Sequence, residues 1–100
     1  MLFRSLTKAL AREVGTQGVT ANAICPGLVI TDIIRNNGPD TAKAMGMTFD
    51  EMVDMFAQES AIKRPNTVAE IAAVAVLLAS PEGGGITGAT ISVDGGSAQY

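Results

Sequence analysis

Asn22-Ala23-Ile24-Cys25-Pro26-Gly27-Leu28-Val29-Ile30-Thr31-Asp32 reads as a buried strand, a break and a fresh helix start. Proline lacks a backbone donor and fixes its own φ, so the ladder is expected to end at Cys25. The residue before a proline is held extended, which keeps Cys25 in line with the strand. Gly27 permits a sharp change of direction and lets another group approach bare backbone. Thr31 is placed to cap a helix from Asp32, whose free N–H groups would point back toward the strand end. In open α/β sheets, ligands sit in the crevice beyond the carboxyl ends of the strands. The same residues also suit an ordinary strand-to-helix connection, and local chemistry alone does not separate the two.

Upstream of the break, Val19 to Cys25 is almost continuously small and apolar, interrupted by Thr20 and Asn22. Such a run suits a parallel strand covered on both faces. Asn22 is then a buried amide that must find partners, and neighbouring backbone is the expected one. Gly15-Thr16-Gln17-Gly18 connects this strand to a helix over Met1 to about Val14. In that helix Leu2, Leu6, Ala9, Leu10 and Glu13 share one side. The segment is basic, hydroxylated and free of acids before Glu13, as organelle transit peptides are. Glu13 and the glycines after it instead end the pattern as a folded, packed helix ends.

Downstream, Asn36-Asn37-Gly38-Pro39 is a turn signal. Thr48-Phe49-Asp50-Glu51 has the spacing of a capping box, and the helix it opens carries Phe49, Met52, Val53 and Phe56 on one face. Met45, Met47, Met52 and Met55 fall in this region, and methionine adapts to irregular apolar partners. The region reads equally as a mobile lid over a substrate and as a small helical hairpin on the core. Lys63-Arg64-Pro65-Asn66 is a basic turn, and Thr67-Val68-Ala69-Glu70 is a second capping box. The helix from Val68 to Ala79 is apolar almost all round, so it is expected to be covered on more than one side, one of them by a subunit or a further domain. Gly83-Gly84-Gly85-Ile86-Thr87-Gly88 matches G-x-G-x-x-G by letter only. A nucleotide fingerprint follows a strand and opens a helix, whereas here a helix precedes and a strand, Ala89 to Val93, follows. Asp94-Gly95-Gly96 is a tight turn into the tail, Ser97 to Tyr100. The order strand, crossover, strand makes a parallel pair.

One hundred residues support at most one domain, and 47% of them are apolar. The net charge of −3, with no basic patch, argues against nucleic acid as a partner. With no histidine and a single cysteine, Cys25, the chain offers no His-based general base, no clustered metal ligands and no internal disulfide. The lone cysteine fits a reducing, cytoplasmic setting. No apolar run reaches the roughly 20 residues that span a bilayer, so no membrane partner is expected.

In combination, several pieces resemble the C-terminal part of a short-chain dehydrogenase/reductase. They are Leu6-Thr7-Lys8-Ala9-Leu10-Ala11-Arg12-Glu13, Val19 through Gly27 with Thr31, the helix from Thr67 to Ser80, Ile86-Thr87-Gly88 and Val93-Asp94-Gly95-Gly96. Within the family the chain is similar to the 3-oxoacyl-carrier-protein reductase and the hydroxybutyrate or polyol dehydrogenase types. The resemblance implies an α/β fold: the C-terminal portion of a Rossmann-type doubly wound sheet, with two parallel strands and about four helices, incomplete as a domain. It implies hydride transfer between NAD or NADP and a small carbonyl or secondary alcohol. Pro26 and Gly27 would line the nicotinamide pocket, the Val29 backbone would bind the carboxamide, and the Thr31 hydroxyl would contact the carboxamide or the pyrophosphate. Residues from about 36 to 62 would be the substrate lid. The helix Val68–Ala79 and the strand Ala89–Val93 would form homo-oligomer surfaces.

The departures are equally informative. The family uses a Tyr as general acid/base and a Lys four residues later. These are expected just upstream of Met1, and the family's glycine-rich phosphate loop and ribose-reading acidic residue are absent too, which makes this chain a half-site without catalytic residues. Tyr100 has no Lys after it, and Asn22, placed in a strand, does not match the family's catalytic Asn. Two further functions stay open: a non-catalytic interaction module using the apolar helix and the strand edge at Val19–Cys25, and a small protein that grips nicotinamide nucleotide weakly.

Overall fold

The computed structural model describes residues 2–98. The expected helix start at Met1 and the tail end at Tyr100 lie outside them. In chain order the elements are α1 (Leu2–Val14), β1 (Ala23–Pro26), α2 (Asp32–Ala44), α3 (Phe49–Ala57), α4 (Val68–Ala79) and β2 (Thr90–Val93). Short 3-10 turns follow α1 at Gly15–Gln17 and α4 at Pro81–Gly83. The two strands pair in parallel, with Ala23 opposite Thr90 and Pro26 opposite Val93. This is the α/β architecture, two parallel strands and four helices, that the resemblance implies. Both α1 and α4 pack on β1.

The ladder runs one residue further than proline chemistry suggested. Ala23 N–H donates to Ala89 O at 2.9 Å, and Gly27 N–H donates to Val93 O at 3.1 Å. In a parallel ladder the residues between them alternate, so Ile24 and Pro26 direct their backbone groups away from β2. The donor that proline lacks therefore faces the other edge, and pairing survives at Pro26.

The ladder also starts later than expected, at Ala23 rather than Val19. The chain opposite residues 19–22 is a turn, with Gly88 at φ +71°, and cannot extend β2 backward. Individual bonds replace the ladder there: Ala21 N–H donates to Thr87 Oγ1, and Gly88 N–H donates to Ala21 O at 2.7 Å. Asn22 thus stands just before β1, not within a strand. Its amide behaves as expected: Nδ2 donates to Ile86 O at 3.0 Å and Oδ1 accepts from Ala89 N–H at 3.0 Å. The glycine-rich stretch 83–88 is the connector it ties down, between a helix and a strand.

The expected turn at Asn36-Asn37-Gly38-Pro39 is absent; those residues lie inside α2. Gly38 is buried there, and a Cβ on it would collide with the Phe49 ring. Helix-on-helix packing between α2 and α3, not a change of direction, is what this glycine serves. Both expected capping boxes form. Thr48 Oγ1 accepts from Glu51 N–H at 3.1 Å while Glu51 accepts from Thr48 N–H. Thr67 and Glu70 repeat the exchange at the start of α4. Of α3's expected apolar face, Met52 is buried and Phe56 is 41% exposed.

Candidate functional site

β1 delivers the chain to Pro26, and α2 takes it away from Asp32. The five residues between them have no strand of their own. In their middle lies a parallel bridge, Val29 to Asn66, in which Asn66 N–H donates to Leu28 O at 2.8 Å. In a bridge of this phase the central residue turns its own N–H and C=O away from its partner. Val29 therefore directs its backbone groups away from Asn66.

Three of the four expected site residues meet. Pro26, Val29 and Thr31 line one cavity of about 220 Å³, whose other wall is Val68 and Ile71 of α4. The walls are apolar. Gly27 does not line it. Its bare face is turned to the chain's own Asp94, and a Cβ there would stand 2.8 Å from Asp94 Cα. The close approach expected at Gly27 is thus made by the Asp94 turn. Asp94 holds that turn itself: Oδ1 accepts from Gly96 N–H at 2.9 Å and Oδ2 from Ala98 N–H at 3.0 Å.

Thr31 sits at the N-cap of α2 with extended backbone, but its side chain makes no capping bond. Its carbonyl instead accepts from Arg35 N–H at 2.9 Å. The expected capping role is therefore not taken up, and the hydroxyl stays uncommitted to the helix. Asp32, next in line, is exposed and makes a 3.4 Å ion pair with Arg35.

Because side chains alternate along an extended segment, Leu28 faces away from Val29's cavity. It lines a second cavity of about 210 Å³ together with Phe56 of α3, Ser60, Arg64, Asn66 and Asp94. The segment after β1 is a partition between an apolar cavity and a mixed one.

Local patterning does not reveal the α4 wall or its fastening. Glu70 is the hub of that fastening. Its carboxylate accepts from Arg64 Nη1 at 3.0 Å and Nη2 at 2.8 Å, from Thr67 N–H at 2.8 Å, and from Asn66 Nδ2 at 3.4 Å. The bond from Arg64, then that from the Thr67 backbone, lowers the Glu70 carboxyl from 4.5 to about 2. The same pair raises the Arg64 guanidinium. Among the described residues, no three His, Cys, Asp or Glu side chains cluster as metal ligands, and no helix is long and apolar enough to cross a membrane.

Residues 2–98 match the enoyl-(acyl carrier protein) reductase family. The chain belongs to the short-chain dehydrogenase/reductase family. It is 38% identical over 92 residues to the D-beta-hydroxybutyrate dehydrogenase of Rhizobium meliloti (strain 1021), covering 91% of this chain and 36% of that relative. It superposes on a short-chain dehydrogenase family protein from Francisella tularensis with a TM-score of 0.89 at 32% identity, covering 96% of this chain and 40% of that one. It is similar too to an actinorhodin polyketide ketoreductase whose structure includes NADPH, with a TM-score of 0.83, 28% identity, and 98% of this chain and 38% of that one covered. The short-chain dehydrogenase/reductase segment seen here thus spans about a third of the length of the curated relative it matches. In family terms it is an oxidoreductase segment with the Rossmann-like sheet.

Proposed function

We propose that this chain supplies one wall of a nicotinamide site in an oxidoreductase that moves a hydride between NAD or NADP and a carbonyl or secondary alcohol. The observation that carries the reading is the apolar cavity at the end of β1, where Pro26, Val29 and Thr31 meet Val68 and Ile71. Its chemistry fits a nicotinamide ring. Apolar walls suit the ring faces, and the Val29 backbone, turned away from Asn66, offers a donor and an acceptor to a carboxamide. The Thr31 hydroxyl, unused as a cap, is available to the carboxamide or the pyrophosphate. Pro26 would add apolar cover to the ring, while Gly27 sets the corner through its seat on Asp94. When bound, the nicotinamide would supply or accept the hydride. The Tyr/Lys pair that handles the proton in this family belongs to the half-site completed by other polypeptide.

The helices α2 and α3, within about residues 36–62, act as the substrate lid in this reading. Their apolar underside includes Met52 and Phe56. The exposed Val76 and Leu77 of α4 serve as homo-oligomer surface. The single thiol, Cys25, suits a cytoplasmic protein. A second reading, a non-catalytic interaction module, draws on the same exposed apolar side chains. Calorimetric titration with NADH and NADPH tests the first. Heat of binding that Thr31→Ala diminishes is expected, with no alcohol oxidation by the 100-residue chain alone. Absence of heat at millimolar nucleotide, or turnover by the pure chain, would contradict it.

A further inference from the structure

The cavity has two walls that are far apart in sequence, and one carboxylate joins them. The first wall, Val29, is bridged to Asn66, whose N–H donates to Leu28 O. The second wall, Val68 and Ile71, belongs to the first turn of α4, which begins beside Thr67. Glu70 Oε1 accepts from Thr67 N–H and from Asn66 Nδ2, and Oε2 accepts from Arg64 Nη2. Arg64 is fastened twice more, since Nη1 reaches both Glu70 Oε1 and Pro65 O. The fork geometry of a guanidinium on a carboxylate fixes orientation as well as distance. Lys63 at φ +58° starts the turn, and Ser60, buried, accepts from Lys63 N–H and donates to Ala57 O, so the turn is also anchored to α3.

We infer that Glu70 is a positioning residue: it sets the separation between the Val29 backbone and the α4 wall, and so the grip on nicotinamide nucleotide. This rests on the nicotinamide reading of the cavity for its ligand, though not for the pinning itself. Glu70 does not line the cavity, so it acts through Asn66 and Thr67 rather than by contact.

Two measurements on the full chain separate the parts. Amide hydrogen exchange at Asn66, the donor to Leu28, should quicken about tenfold more in Glu70→Ala than in Ala9→Gly, which weakens an exposed helix position remote from the site. The dissociation constant for NADH should rise by about tenfold in Glu70→Ala and stay near the parent value in Ala9→Gly. Glu70→Gln should recover most of both, because its amide oxygen still accepts from Thr67 and Asn66. Equal exchange at Asn66 in the two variants would overturn the pinning. Quickened exchange with an unchanged dissociation constant would overturn its bearing on the ligand. A parent chain that binds no NADH would instead remove the nicotinamide reading and leave the exchange result to decide the pinning.

Discussion

At the scale of single residues, the glycines sort by what surrounds them. Gly27 presses its Cα against Asp94 backbone, where a methyl group would stand 2.8 Å from Asp94 Cα. Backbone cannot swing aside as a side-chain end can, so Gly27→Ala should destabilise the chain by about 1–3 kcal/mol. Gly15 has nothing within 4 Å and no positive φ, so Gly15→Ala should be neutral or stabilise by about 0.4–1 kcal/mol. Urea melts of the two variants check the contrast. Glu70 gives a pH signature. Its folded pKa, about 2, lies below the ordinary glutamate value of 4.5, so its contribution to stability is full above the unfolded value and lost as pH falls toward the folded one. The gap in melting temperature between the parent chain and Glu70→Gln should hold from pH 7 to about 5 and close between about pH 4.5 and 2. A gap that persists at the acid end would place the effect in shape rather than charge.

At the scale of elements, the caps show what local sequence can and cannot specify. A capping box needs only residues three apart, and both boxes form where Thr and Glu stand at that spacing. Thr31 has no Glu three residues on, and its hydroxyl does not cap. Thr67→Ala should therefore cost about 0.5–2 kcal/mol and Thr31→Ala much less, measured by thermal or urea unfolding. Thr31→Ala should act on nucleotide binding instead. Equal losses of stability would mean that Thr31 caps in solution. The misread elements failed for long-range reasons. Gly38-Pro39 carries turn chemistry, yet the Phe49 ring needs that bare Cα inside α2. Val19 to Asn22 carries strand chemistry, yet the chain opposite is turned at Gly88 and offers no ladder. The site divides likewise. The break at Pro26-Gly27 is written in adjacent residues, and Pro26, Val29 and Thr31 do converge. The facing Val68 and Ile71, and the Asn66 bridge, depend on a contact across more than thirty residues that no local pattern encodes.

At the scale of the whole molecule, burial is the deciding quantity. Among the described residues the buried apolar side chains are Ala11, Ala42, Met52 and Ala57, and no large side chain is fully buried. Leu2 and Leu6 of the α1 stripe are 85% and 66% exposed, and Val76 of α4 is 67% exposed. The radius of gyration is 16.7 Å, whereas a compact chain of 100 residues is expected near 13 Å. Four small or medium side chains cannot offset the entropy of ordering so many residues, because stability comes chiefly from apolar area removed from water. Apolar stripes on α1 and α4 must therefore find cover from another surface, and in dilute solution a second copy is the one at hand. Light scattering behind size exclusion should give a mass above the 10.3 kDa of one chain at micromolar concentration. Val76→Asp, which places a charge on the α4 stripe, should lower that mass and raise binding of an apolar dye. A sharp, cooperative melt at the mass of a single chain would show that the exposed stripes need no cover, and the proposed division of a nicotinamide site between polypeptides would lose its physical motive.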